Sequence, residues 1–105
     1  MVRAETLKGH LDVLLLAVVA EAPAHGYRII EELKRRSAGT FDLPEGTVYP
    51  ALHRLEQSGL LTSAWSNGGG RRRRVYRLTA RGRRQLGSDR REWRSFTQAV
   101  EAVLT

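Results

Sequence analysis

Positions 10–21 are almost continuously apolar, with Leu11 and every residue from 13 to 20 hydrophobic, a density that predicts a helix buried on most sides. Leu and Ala favour helix over strand there, and Pro23 with His25 and Gly26 closes it. A second helix is predicted over residues 26–37, with Tyr27, Ile30, Leu33 and Lys34 sharing a face and Gly39 ending it. Residues 41–46 read as a connector. Thr47 is the expected N-cap of a third helix, since its hydroxyl can accept from a free backbone N–H. Pro50 then falls in the first turn, where its missing N–H breaks no intrahelical bond. At roughly 100° per residue, Val48, Leu52 and Leu55 share the buried face of this helix, Pro50, His53, Arg54 and Gln57 face away, and Tyr49 lies at the edge.

Ser58 and Gly59 terminate the third helix, and residues 60–66 and 75–78 read as two short strands. Between them runs Asn67-Gly68-Gly69-Gly70-Arg71-Arg72-Arg73-Arg74. The last segment, residues 79–104, has no proline and carries Leu86, Trp93, Phe96, Val100 and Val103 at the a and d positions of a heptad, with Gly82 and Asp89 interrupting its first half. A helix of about 26 residues would be roughly 39 Å long, more than so small a domain can cover, so a second copy of the chain is the expected cover. The pattern therefore predicts a mainly α fold with a small β-hairpin, the form of a winged helix-turn-helix over residues 1–78 followed by a long C-terminal dimerisation helix over 79–105.

At 105 residues, 41% hydrophobic and 28% charged, the chain has the composition of one globular domain. It has no cysteine, which excludes disulfides and thiolate metal sites and makes a reducing cytoplasm the expected location. The longest apolar run, 13–20, is too short to span a bilayer and comes after no signal-like segment, so no membrane partner is expected.

Charge sharpens this picture. Residues 1–60 hold seven Lys/Arg against eight Asp/Glu, whereas residues 61–105 hold eleven Arg against three Asp/Glu. The positive field is concentrated on the hairpin and the C-terminal segment after it, which is the electrostatic footprint of phosphate binding. A helix fits the major groove, and a basic hairpin with a glycine tip can approach adjacent phosphates or the minor groove closely. The candidate DNA-contacting residues are Tyr27, Thr47, Tyr49, Pro50, His53 and Arg54, with Arg71, Arg72, Arg73 and Arg74 on the wing. The candidate dimerisation residues are Leu86, Trp93, Phe96, Val100 and Val103. His10, His25 and His53 stand at unrelated spacings with no His-x-x-x-His pair, so neither a metal site nor catalysis is expected, and no cofactor is implied. His25 is placed to cap or orient the second helix.

Four motifs extend the argument: Leu7-Lys8-Gly9-His10-Leu11-Asp12, Pro23-Ala24-His25-Gly26-Tyr27, the block from Leu43-Pro44-Glu45-Gly46-Thr47-Val48-Tyr49-Pro50 through Ala51-Leu52-His53-Arg54-Leu55-Glu56, and Arg74-Val75-Tyr76-Arg77-Leu78-Thr79. In this order they resemble the PadR family of transcriptional regulators, in its compact form with one C-terminal helix. The resemblance implies a homodimer acting on a pseudo-palindromic promoter site in double-stranded DNA, usually as a repressor. It also implies that Trp93 and Phe96 border a cavity at the dimer interface that accepts a small, flat hydrophobic effector. The rival from composition alone is a basic RNA-binding or ribosome-associated protein, which would need an exposed aromatic platform; Trp65 and Tyr76 lie on strands whose other members read as core.

Overall fold

The computed structural model describes Leu7 and residues 9–105; Lys8 of the first motif lies outside the described residues. Its elements are α1 (Leu11–Glu21), β1 (Ala24–His25), α2 (Gly26–Arg36), α3 (Glu45–Gln57), β2 (Leu61–Ser66), β3 (Arg73–Leu78) and α4 (Ala80–Leu104). The strands form one antiparallel sheet in the order β1-β3-β2. The two-residue strand β1 has no period for a sequence pattern to reveal. It exists because Ala24 and His25 find the free edge of β3 opposite Tyr76 and Val75.

α1 buries Leu15, Leu16, Val18 and Val19 at the centre of the core. α2 buries Gly26, Ile29 and Leu33, so its inner face is rotated from the expected one and Tyr27 is left exposed. Val48, Ala51, Leu52 and Leu55 of α3 close the core from the third side, with Leu61 and Tyr76 beneath them from the sheet.

Two expectations about α3 are corrected. The helix starts at Glu45, not after Thr47: the Pro44 carbonyl accepts from the backbone N–H groups of Thr47 (3.0 Å) and Val48 (3.2 Å). Thr47 is thus inside the first turn, and Glu45 supplies the negative charge that a helix N-terminus favours. Pro50 consequently lies beyond the first turn, where it cannot donate to the Gly46 carbonyl. The second wing strand also begins earlier than expected, so Arg73 and Arg74 belong to β3 and the loop is shorter. At its tip Gly69 and Gly70 adopt φ of 69° and 74°, a conformation that residues with a Cβ rarely take.

Thr79 caps α4, its hydroxyl accepting from the Gly82 N–H at 2.9 Å and donating to the Gly59 carbonyl at 2.7 Å. A Cβ at Gly82 would run into the Leu60 carbonyl oxygen and lie 2.8 Å from Leu78 Cδ1, so glycine is what lets the helix sit on the end of β2 and β3. Leu86, one turn on, is 3% exposed and joins the same core. Beyond it α4 projects from the body, extending the molecule to 53 Å along its longest axis against 30 and 20 Å along the others.

Candidate nucleic-acid interface

The exposed side of α3, the N-terminus of α2 and the wing enclose an open cleft of about 500 Å³. It brings together Tyr27, Tyr49, His53, Arg71, Arg72, Arg73 and Arg74, seven of the ten residues expected at DNA, and adds His25, Gly26, Trp65 and Tyr76. Thr47, Pro50 and Arg54 lie outside its lining. Thr47 is half-buried, Pro50 is exposed on α3, and Arg54 is ion-paired with Asp12 of α1 at 2.7 Å.

Tyr49 reaches this surface because α2 begins with a glycine. A Cβ at Gly26 would lie 2.6 Å from Tyr49 Cε1 and closer still to the phenol end of the ring, so the aromatic ring uses the space a side chain would fill. Burial, and then the nearby Glu45 carboxylate, raise the pKa of the Tyr49 phenol. Tyr27 is 54% exposed, and the Glu45 carboxylate beside its phenol raises that pKa as well. Glu45 therefore sets an acidic group at the start of α3 beside two tyrosines.

His25 joins α2 to the wing. Its Nδ1 accepts from the Arg28 backbone N–H at 3.3 Å, capping α2, and its Nε2 lies 2.9 Å from Arg73 Nη1. A neutral imidazole has one acceptor nitrogen, so it can accept from the Arg28 amide or from Arg73 but not from both. Desolvation first, then the Arg73 charge, lower its pKa.

The four wing arginines are not equivalent. Arg74 donates from Nε to Ser63 Oγ at 2.7 Å, and Ser63 donates to Glu56 at 2.7 Å, which ties the base of the wing to the last turn of α3. Arg73 faces His25. Arg71 and Arg72 are exposed. Trp65 is 55% exposed and stands under two guanidinium groups, with Arg72 Cζ 4.6 Å and Arg74 Cζ 5.3 Å from the ring centroid. Period-two alternation groups Trp65 with buried Leu61 and so predicts core; the hairpin reaches past the body of the domain, and the last residues of that face meet solvent instead.

On α4 the expected dimerisation residues divide. Leu86 is enclosed in the chain's own core, so it is unavailable to a second copy. Trp93, Phe96, Val100 and Val103 are exposed, by 48, 58, 36 and 85% respectively. Trp93 and Phe96 line a second cleft of about 450 Å³ together with Gly9, His10, Asp12, Val13, Asp89 and Glu92. The Trp93 ring meets His10 edge-on at 5.1 Å and Phe96 at 6.0 Å. Asp89 borders this space, accepting from Gln85 at 2.9 Å, whereas Gly82 serves the contact with Leu60 instead. Among the described residues no cluster of three His, Cys, Asp or Glu could hold a metal ion, and no helix is long and apolar enough to cross a membrane.

Among the described residues, three packed helices with a basic two-stranded wing and an extending helix make a winged helix-turn-helix, and proteins of similar sequence and structure agree. The model of the Transcriptional regulator PadR-like family matches residues 15–88. The chain is 41% identical to the transcriptional regulator Rv3488 of Mycobacterium tuberculosis over 82% of its own length and 78% of that protein's. It superposes with a TM-score of 0.82 on a PadR family transcriptional regulator from Eggerthella lenta, at 35% identity over 95% of this chain and 86% of that one. A PadR family regulator from Clostridium difficile gives the same TM-score at 33% identity, over 92% of this chain and 100% of that one. The chain belongs to the PadR-like family of transcriptional regulators.

Proposed function

We propose that this protein represses transcription by binding, as a homodimer, a pseudo-palindromic promoter site in duplex DNA, with residues 1–78 as the DNA-binding unit and α4 as the dimerisation unit. The observation that carries the reading is the cleft in which the α3 side chains Tyr49 and His53 face the arginines of the wing. A helix that presents polar side chains beside a basic hairpin matches the major groove and its flanking phosphates. Exposed Trp93, Phe96, Val100 and Val103 support dimerisation, because an apolar stripe of this kind on a projecting helix calls for a partner surface. Acting as a DNA-binding switch, the protein needs no catalytic residue, metal or cofactor, and it works in the cytoplasm.

A small, flat effector is assigned to the cleft beside Trp93 and Phe96, where two aromatic rings offer stacking surface. Any such compound changes DNA binding only through a difference in affinity for the two dimer geometries.

The test is to sequence DNA fragments recovered with the protein and measure binding to the enriched duplex before and after altering the half-site spacing. Two half-sites about one helical turn apart are expected. Trp93→Asp, measured by sedimentation, should yield monomers or insoluble protein and abolish operator binding, since it places a charge where apolar burial is required. A folded Trp93→Asp dimer overturns the dimer surface. The exposure of Trp65 also provides the aromatic platform that an RNA-binding protein would need. Competition with single-stranded and structured RNA decides between the partners: RNA displacing the enriched duplex at equal concentration overturns the DNA reading.

A further inference from the structure

We propose that Trp65 is a positioning residue of the wing, holding the Arg72 guanidinium where it meets a DNA phosphate. The inference rests on the DNA-binding reading above and adds a residue to it. Trp65 is the next-to-last residue of β2, opposite Arg74 in the register of the hairpin. Its indole buries nothing of the core. Trp65 is not part of the core cluster, and the residues that follow it at the wing tip, Ser66, Asn67 and Gly68, are small and exposed.

What touches the ring is charge. Arg74 is anchored by Ser63 Oγ at 2.7 Å, and with its Cζ 5.3 Å from the centroid it fixes the indole from the body side. Arg72 lies nearer, at 4.6 Å, and among the described residues it has no carboxylate within ion-pairing distance. The indole is therefore the group that orders it. A cation over an aromatic face is attracted by the negative ring quadrupole, while the edge N–H groups of a guanidinium remain free for a second, anionic partner. Arg72 comes after a turn of three glycines, which leaves the chain to roam unless a side chain restrains it. Without the ring, Arg72 would lose several rotatable bonds' freedom on meeting a phosphate; with it, part of that loss precedes binding.

The experiment uses the full chain and a random-sequence duplex, comparing Trp65→Ala, Arg72→Ala, the double variant and Trp65→Tyr across a salt series. Trp65→Ala should weaken binding about two- to fivefold per protomer. Arg72→Ala should lower the log–log salt slope by about 0.9 per contact, whereas Trp65→Ala, which leaves the guanidinium able to reach the phosphate, should keep the slope near wild type. In the Arg72→Ala background it should add no further loss, and Trp65→Tyr, which keeps an aromatic face, should retain most of the affinity. Unchanged circular dichroism checks that the variants fold. Losses that add in the double variant mean that the indole touches DNA by itself, and they overturn the proposal. So does a Trp65→Ala protein that binds with wild-type affinity, which leaves the DNA reading intact. A wild-type protein that binds no duplex overturns both.

Discussion

The Arg54 guanidinium donates a 2.7 Å hydrogen bond to the Asp12 carboxylate, joining the last turn of α3 to the first turn of α1. Arg54 points away from the core, as helical periodicity requires, yet a residue 42 positions earlier in the chain holds its charge.

Both side chains are about half exposed, so the pair contributes no more than about 1 kcal/mol to stability and a DNA group can displace Asp12. Asp12→Asn should release Arg54 for a base edge and tighten binding to the operator. Arg54→Ala should relax discrimination at one or two base pairs per half-site by ~1–3 kcal/mol. Binding titrations on an enriched operator and its single-base variants measure both. Unchanged operator affinity in Asp12→Asn would mark the pair as purely structural.

Gly26→Ala tests the placement of Tyr49. The new methyl group collides with the far end of the phenol ring, which can swing aside, so the melting temperature should change little. The ring then leaves the cleft, and duplex affinity should fall about fivefold, the equivalent of one hydrogen bond of about 1 kcal/mol. A variant that binds DNA like wild type would remove Tyr49 from the interface.

The two glycines of α4 should respond in opposite ways. At Gly82 the obstacle is the backbone carbonyl of Leu60, which also accepts from the Thr79 N–H at 3.2 Å, so Gly82→Ala must push the helix off the sheet. A loss of about 1–3 kcal/mol in urea unfolding is expected. Gly87 has only Arg91 Nη1 near its missing Cβ, at 3.6 Å, and Gly87→Ala should gain about 0.5–1 kcal/mol from helix propensity alone. Equal effects at the two positions would contradict the close approach at Gly82.

His25 should make stability depend on pH. The unfolded ring takes up its proton near pH 6.5, while desolvation and Arg73 hold the folded ring neutral to lower pH. Between those two pKa values the unfolded chain carries more proton, so stability falls as pH drops below about 6.5 and the loss is complete below the folded pKa. His25→Asn keeps an acceptor for the Arg28 amide and removes the titration. Comparing denaturant midpoints at pH 7.5 and 5.5 should therefore show a smaller decline in His25→Asn than in wild type, and equal declines would exclude this origin.

Local pattern made much of this protein legible in its sequence. The apolar run of α1, the 3.6-residue spacing of Val48, Leu52 and Leu55, and the glycine-arginine hairpin specify helices, a wing and a basic surface, because helical period and turn chemistry act between near neighbours. The four motifs carried the family. Tertiary contacts decided the rest. β1 exists only against β3; Leu86 turns inward because Gly82 seats α4 on the Leu60 carbonyl; Arg54 meets Asp12 of α1 at the surface; and Trp65, in phase with buried Leu61, ends in solvent because the wing outruns the domain beneath it. A residue's chemistry is written in the chain, but its partner is set by which distant surface the folded backbone brings to it, and no spacing along the sequence encodes that distance.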